Sequence, residues 1–391
     1  MRFMVKFPKL FEPIKIGKIE LSNRIVMPPM TTNFAKDGAV TDRLVNYYAE
    51  RGRGGVGLIV VEDAIVDFPV GHYTHNCLRI DMDKFLPGLR RLAQSVKASG
   101  AKVFLNLNHA GRRAGLIENG QLLITRRMLP IAPSPIPHPY PGFVVPREMT
   151  IEEIEEVENK FVQAALRVQE AGYDGLSLNA AHMYLIDEFL SPISNLRKDN
   201  YGGSLDGRVR FLIKIIHKIK RKLGSDFQVM VYINGREGIN CGITVEDAKE
   251  ISCRMEAAGI DCISLSCGAE CPLTNREFSL LVAPVRQPHG LDLPMAEMIK
   301  QVISIPIMKA NRIITPQKAE DILQSERADL IGIGRGLIAD AEWPRKAQKG
   351  QEDEIRFCIG CNHCSRTVLE KGEGLECAIN ASIGRGRQMG G

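Results

Sequence analysis

Short apolar runs rich in Val and Ile recur along the chain at Ile25–Met27, Gly57–Val61, Val103–Leu107, Gly175–Leu178, Val229–Ile233, Cys262–Leu265, Ile305–Met308 and Leu330–Ile333. Runs of this length suit strands buried on both faces, as in a parallel sheet. Between most of them the period becomes helical. The clearest helix opens at Thr150: Thr150-Ile-Glu-Glu153 is a capping box, Ile151, Ile154, Val157, Phe161, Ala165 and Val168 form one stripe, and Gly172 ends it. Thr244–Gly259 repeats the plan with Asp247 at the third helical position, and Thr315-Pro316 opens another helix with Pro at its first position.

Eight strand–helix units over about 320 residues predict an α/β fold, a (β/α)8 TIM barrel. A doubly wound open sheet is the runner-up, but no Gly-rich dinucleotide turn follows an early strand. Pro13–Ser22 alternates about a glycine and predicts a hairpin that closes the bottom of the barrel. Seven prolines from Pro130 to Pro146 predict an extended, ordered loop after the third strand. Past residue 350 the pattern gives way to a cysteine-bearing tail. The expected division is therefore a barrel over residues 1–350 and a C-terminal extension over 351–391.

Composition narrows the class. With 391 residues, 44% hydrophobic and 25% charged, the chain can bury a stable core, and disorder, collagen and coiled coil are excluded. A net charge of +5 with no basic block gives no sign of a nucleic-acid partner. No apolar run approaches the roughly 18 residues of a membrane span, and the N-terminus lacks an apolar signal core. A cytoplasmic protein is expected.

Four of the ten cysteines lie in the tail, as Cys358-Ile-Gly-Cys361-Asn-His-Cys364 followed by Cys377. Three closely spaced thiolates and a distant fourth fit the corners of a [4Fe–4S] cluster. Structural zinc usually pairs two C-x2-C knuckles, so it is the lesser alternative. His363 lies inside the loop and reads as a solvated residue rather than a ligand. Such an iron–sulfur tail points to one-electron traffic with a redox cofactor.

In such barrels the chemistry sits where the strands end. Here those ends read Pro28-Pro29-Met30-Thr31, Glu62-Asp63, Asn106-Leu-Asn-His109, Asn179-Ala-Ala-His182-Met-Tyr184, Asn234-Gly235, Ser266-Cys-Gly268, Asn311-Arg312 and Gly334-Arg335. Glycines and arginines after strands seven and eight suit a phosphate, since backbone N–H groups can approach and Arg supplies bidentate charge.

This ordered set, with LFEPIKIGKIELSNRIVMPPMTT, NHAGRR, LSPISNLRKDNYGGS, YING and ADLIGIGRGLIAD, resembles the Old Yellow Enzyme family of FMN-dependent oxidoreductases over nearly the whole chain. The tail is similar to the iron–sulfur branch that includes 2,4-dienoyl-CoA reductase, 2-enoate reductases and trimethylamine dehydrogenase, and its spacing looks most like the amine dehydrogenase side. The resemblance implies that Pro29, Met30 and Thr31 line the flavin ring, with Thr31 near O4. Asn106 and Tyr232 occupy flavin-edge positions. Asn311, Arg312, Gly334 and Arg335 would hold the FMN phosphate. Tyr184 would be the proton donor, and Asn179 and His182 the pair that binds a substrate carbonyl. His109 either orients its neighbours or meets substrate. Cys358, Cys361, Cys364 and Cys377 would hold the cluster.

Four positions depart from the family pattern. Asn179 stands where His is usual and Asn106 where Gln is usual. Tyr232 replaces the Arg expected beside flavin N1, with Arg236 a displaced stand-in, and Asp63 replaces a residue that is often small. The favoured reading is reduction of an activated C=C bond of an enoate, enone or enoyl-CoA, with NAD(P)H as the ultimate electron donor. The alternatives are an amine dehydrogenase or N-demethylase with electrons leaving through the cluster, and a non-catalytic electron-transfer subunit. Tyr73, Tyr184 and Trp343 look too scattered to cage an ammonium. The loops after strands three and six are expected to set the substrate. Multi-domain relatives of that branch continue into an FAD- and NAD-binding half. The expected partner is therefore another polypeptide or a further part of a longer chain, and a homo-oligomer is expected from the family.

Overall fold

The computed structural model describes residues 6–74, 76–118, 121–123, 129–139, 142–268, 283–285, 287–290 and 292–385. The eight apolar runs form a closed parallel barrel: Ile25–Met27, Leu58–Ile65, Lys102–Asn108, Gly175–Ala180, Gln228–Asn234, Cys262–Ser266, Ile307–Lys309 and Leu330–Gly332. The eighth strand closes on the first, with Ile331 opposite Ile25, and the first pairs onward with Val26 opposite Leu58. The seventh strand starts later than expected because Pro306 has no N–H to give the ladder.

Helices form where capping chemistry starts them. Thr150 and Thr244 both close full capping boxes, on Ile151–Glu170 and Val245–Ala257, and Thr315 caps Pro316–Gln324. Each box satisfies N–H groups that a helix start otherwise leaves without partners.

The barrel interior changes character along its axis. At one end Val26, Leu58, Val60, Phe104, Met230, Cys262, Met308 and Leu330 pack together with Ile16 and Leu21. Those last two belong to the expected hairpin, Ile14–Ile16 against Ile19–Leu21, which therefore plugs this end. Phe104 fills the space left by Gly175, where an added Cβ would stand 2.6 Å from the Phe104 ring. Two and four residues further on, the inward positions turn polar: Asn106, Asn108, Ser177, Asn179, Ser264 and Ser266 are all buried.

The second strand breaks its own alternation. Its register with the third shifts between Val61 and Asp63, so Asp63 lies opposite Asn106. Val60 faces inward, and strict alternation would send Glu62 in after it. The bulge sends Asp63 in instead. Glu62 turns outward, where it accepts from Thr32 N at 2.8 Å and from Tyr48 OH, on the helix Asp42–Arg53, at 3.4 Å.

The long segment Leu190–Ser204 is a cross-link. Asn195 Nδ2 donates to the Phe189 and Tyr201 carbonyls, and Arg197 donates to those of Pro133 and Met149. These bonds pin the ends of the proline-rich loop, where Ile131–Ala132 also pairs with Arg147–Glu148. Of the loops expected to set the substrate, Ile117–Pro146 is described except at 119–120, 124–128 and 140–141, whereas most of Cys267–His289 lies outside the described residues. The tail folds back across the barrel: Asn33 Nδ2 donates to the Val368 and Glu373 carbonyls, and Leu375 N donates to Thr32 O. Among the described residues no helix is long and apolar enough to cross a membrane.

Replacing Gly175 with Ala should destabilise the protein by about 1–3 kcal/mol, measured by urea denaturation, because the new methyl overpacks against Phe104. Pairing it with Phe104→Leu should cost less than the sum of the two single changes.

Candidate active site

One pocket opens at the C-terminal ends of the barrel strands, and most of the candidate residues line it. Pro29, Met30 and Thr31 come from the first strand end, Asn179, His182 and Tyr184 from the fourth, and Tyr232 from the fifth. Asn311, Arg312, Gly334 and Arg335 close the opposite side, and Cys358 and Cys364 bring the tail into the same wall. Asn106 is fully buried and is not among the lining residues. Arg236 is also outside the lining, since its guanidinium pairs with Asp292.

A strained turn presents the fourth-strand residues. His182 and Met183 are consecutive left-handed residues, at φ 62° and 60°, a conformation that costs about 1–3 kcal/mol per residue unless its surroundings hold it. Asp187 Oδ2 holds this turn, accepting from Met183 N at 2.7 Å and Asn234 Nδ2 at 2.9 Å. His182 Nε2 bonds the Ser266 hydroxyl at 2.6 Å, and its ring stands edge-on to Tyr232. Burial, reinforced by nearby Arg113, pushes the His182 pKa down to about 3, so the imidazole is neutral near neutral pH. The Tyr184 ring lies 5.2 Å from that of Tyr73, with the Arg113 guanidinium 5.1 Å from its centroid. Tyr73 and Tyr184 are thus in contact, contrary to the expected scatter; Trp343 is elsewhere, bonded to Ile314 O.

Asp63 is the hub of the opposite wall. Its Oδ1 accepts from Asn106 Nδ2 at 2.6 Å and Asn179 Nδ2 at 3.1 Å. Its Oδ2 accepts from Tyr73 OH at 2.7 Å and Asn108 Nδ2 at 3.0 Å. Thr31 Oγ1 lies 2.6 Å from the Tyr73 hydroxyl, so a chain of bonds runs from the first strand end to the carboxylate. Burial raises the Asp63 pKa and the four bonds oppose that rise. Asn108, Tyr73 and Ser266 were given no role in the site from the sequence. Asn108 had a signal, since it shares the inward face of its strand with Asn106.

The phosphate-type end carries two cations. Asn311 and Arg312 are consecutive left-handed residues, at φ 85° and 53°. Arg312 Nη1 donates to Pro284 O at 2.7 Å, while its buried Nε has no partner among the described residues. Arg335 donates to Asn362 Oδ1 at 2.6 Å and to Ala283 O at 2.8 Å. Burial and the neighbouring Arg335 lower the Arg312 pKa. A buried guanidinium with an unused N–H beside a second, half-buried one fits a phosphate.

The cysteine loop lies against these arginines. Gly360 N donates to Cys358 Sγ at 3.4 Å, and a Cβ on Gly360 would stand 2.9 Å from Arg312 Nη1. Among the described residues no three His, Cys, Asp or Glu groups converge closely enough for a single metal ion. Thiolates on a cuboidal cluster stand farther apart than ligands on one ion, and a backbone N–H on a cysteine sulfur is the kind of bond that tunes such clusters.

The family model described as NADH:flavin oxidoreductase / NADH oxidase matches residues 9–354. The chain belongs to that family. It is 43% identical to an NADH oxidase of Thermoanaerobacter brockii over 384 residues, which is 98% of this chain and 57% of that protein. It is 32% identical to a cinnamate reductase of Clostridium sporogenes over 98% of this chain and 59% of the relative. The solved complex of 2-naphthoyl-CoA reductase with 2-naphthoyl-CoA matches with a TM-score of 0.88 at 30% identity, over 96% of this chain and 57% of that one. The chain thus spans little more than half the length of these relatives. Family membership implies a flavin cofactor and bears out the resemblance read from the strand ends.

Burial pushes the pKa of Glu62 up to about 8, from an ordinary value of 4.5. The native state therefore holds its proton where the unfolded chain has lost it, and this contribution to stability fades as pH rises from 4.5 through 8. Glu62→Gln should flatten the fall in stability between pH 6 and 8.5 by up to about 1.4 kcal/mol per pH unit, read from urea midpoints. An unchanged slope would sink the assignment.

Proposed function

We propose that this chain is the flavin- and cluster-binding part of an oxidoreductase that reduces an activated C=C bond of the enone, enoate or enoyl-CoA type. One observation carries the reading: a single pocket holds Tyr184, His182 and Asn179 at one end and the arginine pair at the other. Arg312, Arg335, Asn311 and Gly334 would hold the FMN phosphate, and Pro29, Met30, Thr31 and Tyr232 would flank the ring, with Asn106 acting from behind Asp63. When bound, FMN supplies hydride chemistry.

The chain's own groups do the rest. The Asn179 amide and the neutral His182 donate to the substrate carbonyl and polarise the alkene. The Tyr184 phenol delivers the proton to the α-carbon; with an ordinary pKa of about 10, a phenol is a competent acid toward a developing enolate. Buried Leu185 and Ile186 continue the turn that carries it and keep water from its base. Cys358, Cys361, Cys364 and Cys377 would hold a [4Fe–4S] cluster in the extension 351–391, beside the barrel of 1–350. Electrons from NAD(P)H would enter through a partner polypeptide or a further segment of a longer protein.

A second reading, oxidation of an amine with electrons leaving through the cluster, is favoured by one feature. The contacting rings of Tyr73 and Tyr184 stand beside the Asp63 carboxylate, an environment that suits an ammonium.

Tyr184→Phe should leave FMN content and flavin reduction intact and slow alkene-dependent reoxidation about 100-fold or more, measured anaerobically by stopped flow. Unchanged reoxidation removes Tyr184 from the chemistry, and bleaching of the flavin by amines but not reoxidation by alkenes favours the second reading. Iron and acid-labile sulfide should each approach about four per chain; zinc in their place would overturn the electron-transfer role.

A further inference from the structure

We infer that Asp63 is the specificity-determining residue of this pocket: its carboxylate makes the substrate end accept molecules that are neutral or cationic beside it and reject a free carboxylate. This rests on the reading of the pocket as the flavin and substrate site, and it narrows the substrate class within that reading.

The hydrogen-bond partners of the carboxyl group bear on its charge. Three of its four partners are amide N–H groups, from Asn106, Asn108 and Asn179, and such groups donate but cannot accept. A proton on Oδ2 has one acceptor to meet, the Tyr73 hydroxyl, which would then turn its own hydrogen to Thr31, while the three amides offer only donors. Burial raises the Asp63 pKa, and the three amide donors favour the charged form against that rise.

The position of the charge follows from Asn179. The Nδ2 group that donates to Asp63 Oδ1 belongs to the same amide expected to bind the substrate carbonyl. A bound substrate thus stands within two hydrogen bonds, about 6 Å, of the carboxylate. Asp63 itself also lines the pocket, so no side chain need move for it to be felt.

The neighbouring groups leave this charge standing. His182 is neutral and Tyr232 keeps its proton, its pKa pushed up to about 12 by burial. Arg113 lies over the Tyr184 ring and donates weakly, at 3.5 Å, to the His182 carbonyl. The other lining cations, Arg312 and Arg335, stand on the seventh and eighth strand ends and are directed at the Pro284 and Ala283 carbonyls and at Asn362. A carboxylate beside Asn179 therefore meets a like charge in a dry wall, an arrangement that discriminates strongly between partners.

The test compares cinnamate with cinnamamide, which differ in this charge and little in shape, on the FMN-loaded, reduced protein. The wild type should favour cinnamamide in kcat/KM by about 10-fold or more, and Asp63→Asn should reduce that ratio by about 10-fold, mainly through a gain with cinnamate. Asp63→Ala combined with Asn106→Gln, which refills the space with an uncharged group, should do the same should the single variant fold poorly. Binding of benzamide and benzoate, read from the flavin absorbance, should follow the same pattern without turnover. If neither alkene is reduced but the benzamide preference collapses in the variants, the charge selection stands and the proposed reaction falls. If both ligands lose affinity equally in both variants, or the ratios do not move, Asp63 is only a structural hub and the inference is overturned.

Discussion

One extra residue in the second strand determines how the active end of this barrel is built. Without the bulge between Val61 and Asp63, the inward position would fall to Glu62. With it, two adjacent acids part company. Glu62 leaves the barrel to hold Thr32 N and meet Tyr48, which fixes the loop carrying Pro29, Met30 and Thr31. Asp63 enters and gathers Asn106, Asn108, Asn179 and Tyr73 around one carboxylate. The bulge thus sets the electrostatics of the pocket before any ligand arrives.

That view changes how the departures from the family pattern are understood. Asn106, Asn179 and Asp63 look like three separate oddities when read along the chain. In space they are one hydrogen-bonded unit, because two of the amides spend an N–H on the same carboxylate oxygen. A longer Gln at 106, or an imidazole at 179, would not fit this hub with the same donors. Tyr232 belongs to the same shift in charge, since the cation expected there is absent and Arg236 is held by Asp292.

The barrel was legible because its signals are local. Buried parallel strands write themselves as Val- and Ile-rich runs, and Thr150, Thr244 and Thr315 announce helix starts through chemistry within four residues. The strand ends were legible because the fold dictates where ligands meet the chain. The bulge was not, since a single extra residue in a run such as Ile-Val-Val-Glu-Asp leaves no mark when every position is buried. The bond from Tyr73 to Asp63 was not legible for a related reason: Tyr73 lies on a connection outside the barrel period and reaches Asp63 only through the tertiary fold. The motif around Asn195, Arg197 and Tyr201 was recognised, yet its work is mechanical, tying the proline-rich loop to the turn beyond the fourth strand.

The tail deepens the point that position, more than inventory, carries the chemistry. Read as sequence, four cysteines after a barrel look like an appendage. In the fold Cys358 and Cys364 share a wall with the phosphate-type arginines: Arg335 bonds Asn362 inside the cysteine loop, and Gly360 is the one residue type that leaves room for Arg312 Nη1. A guanidinium has five donors, and Arg335 spends only part of them on Asn362 and Ala283, so it can serve an anion in the pocket without releasing the loop. Each charge placed on one side of these arginines is therefore felt on the other across a few ångströms of dry protein, where screening is weak. The same guanidiniums that suit a flavin phosphate hold the loop of a candidate electron port. At the far end of the pocket Asp63 is held by Asn106, Asn108, Asn179 and Tyr73, so the two ends of one cavity differ in the sign of the charge they carry.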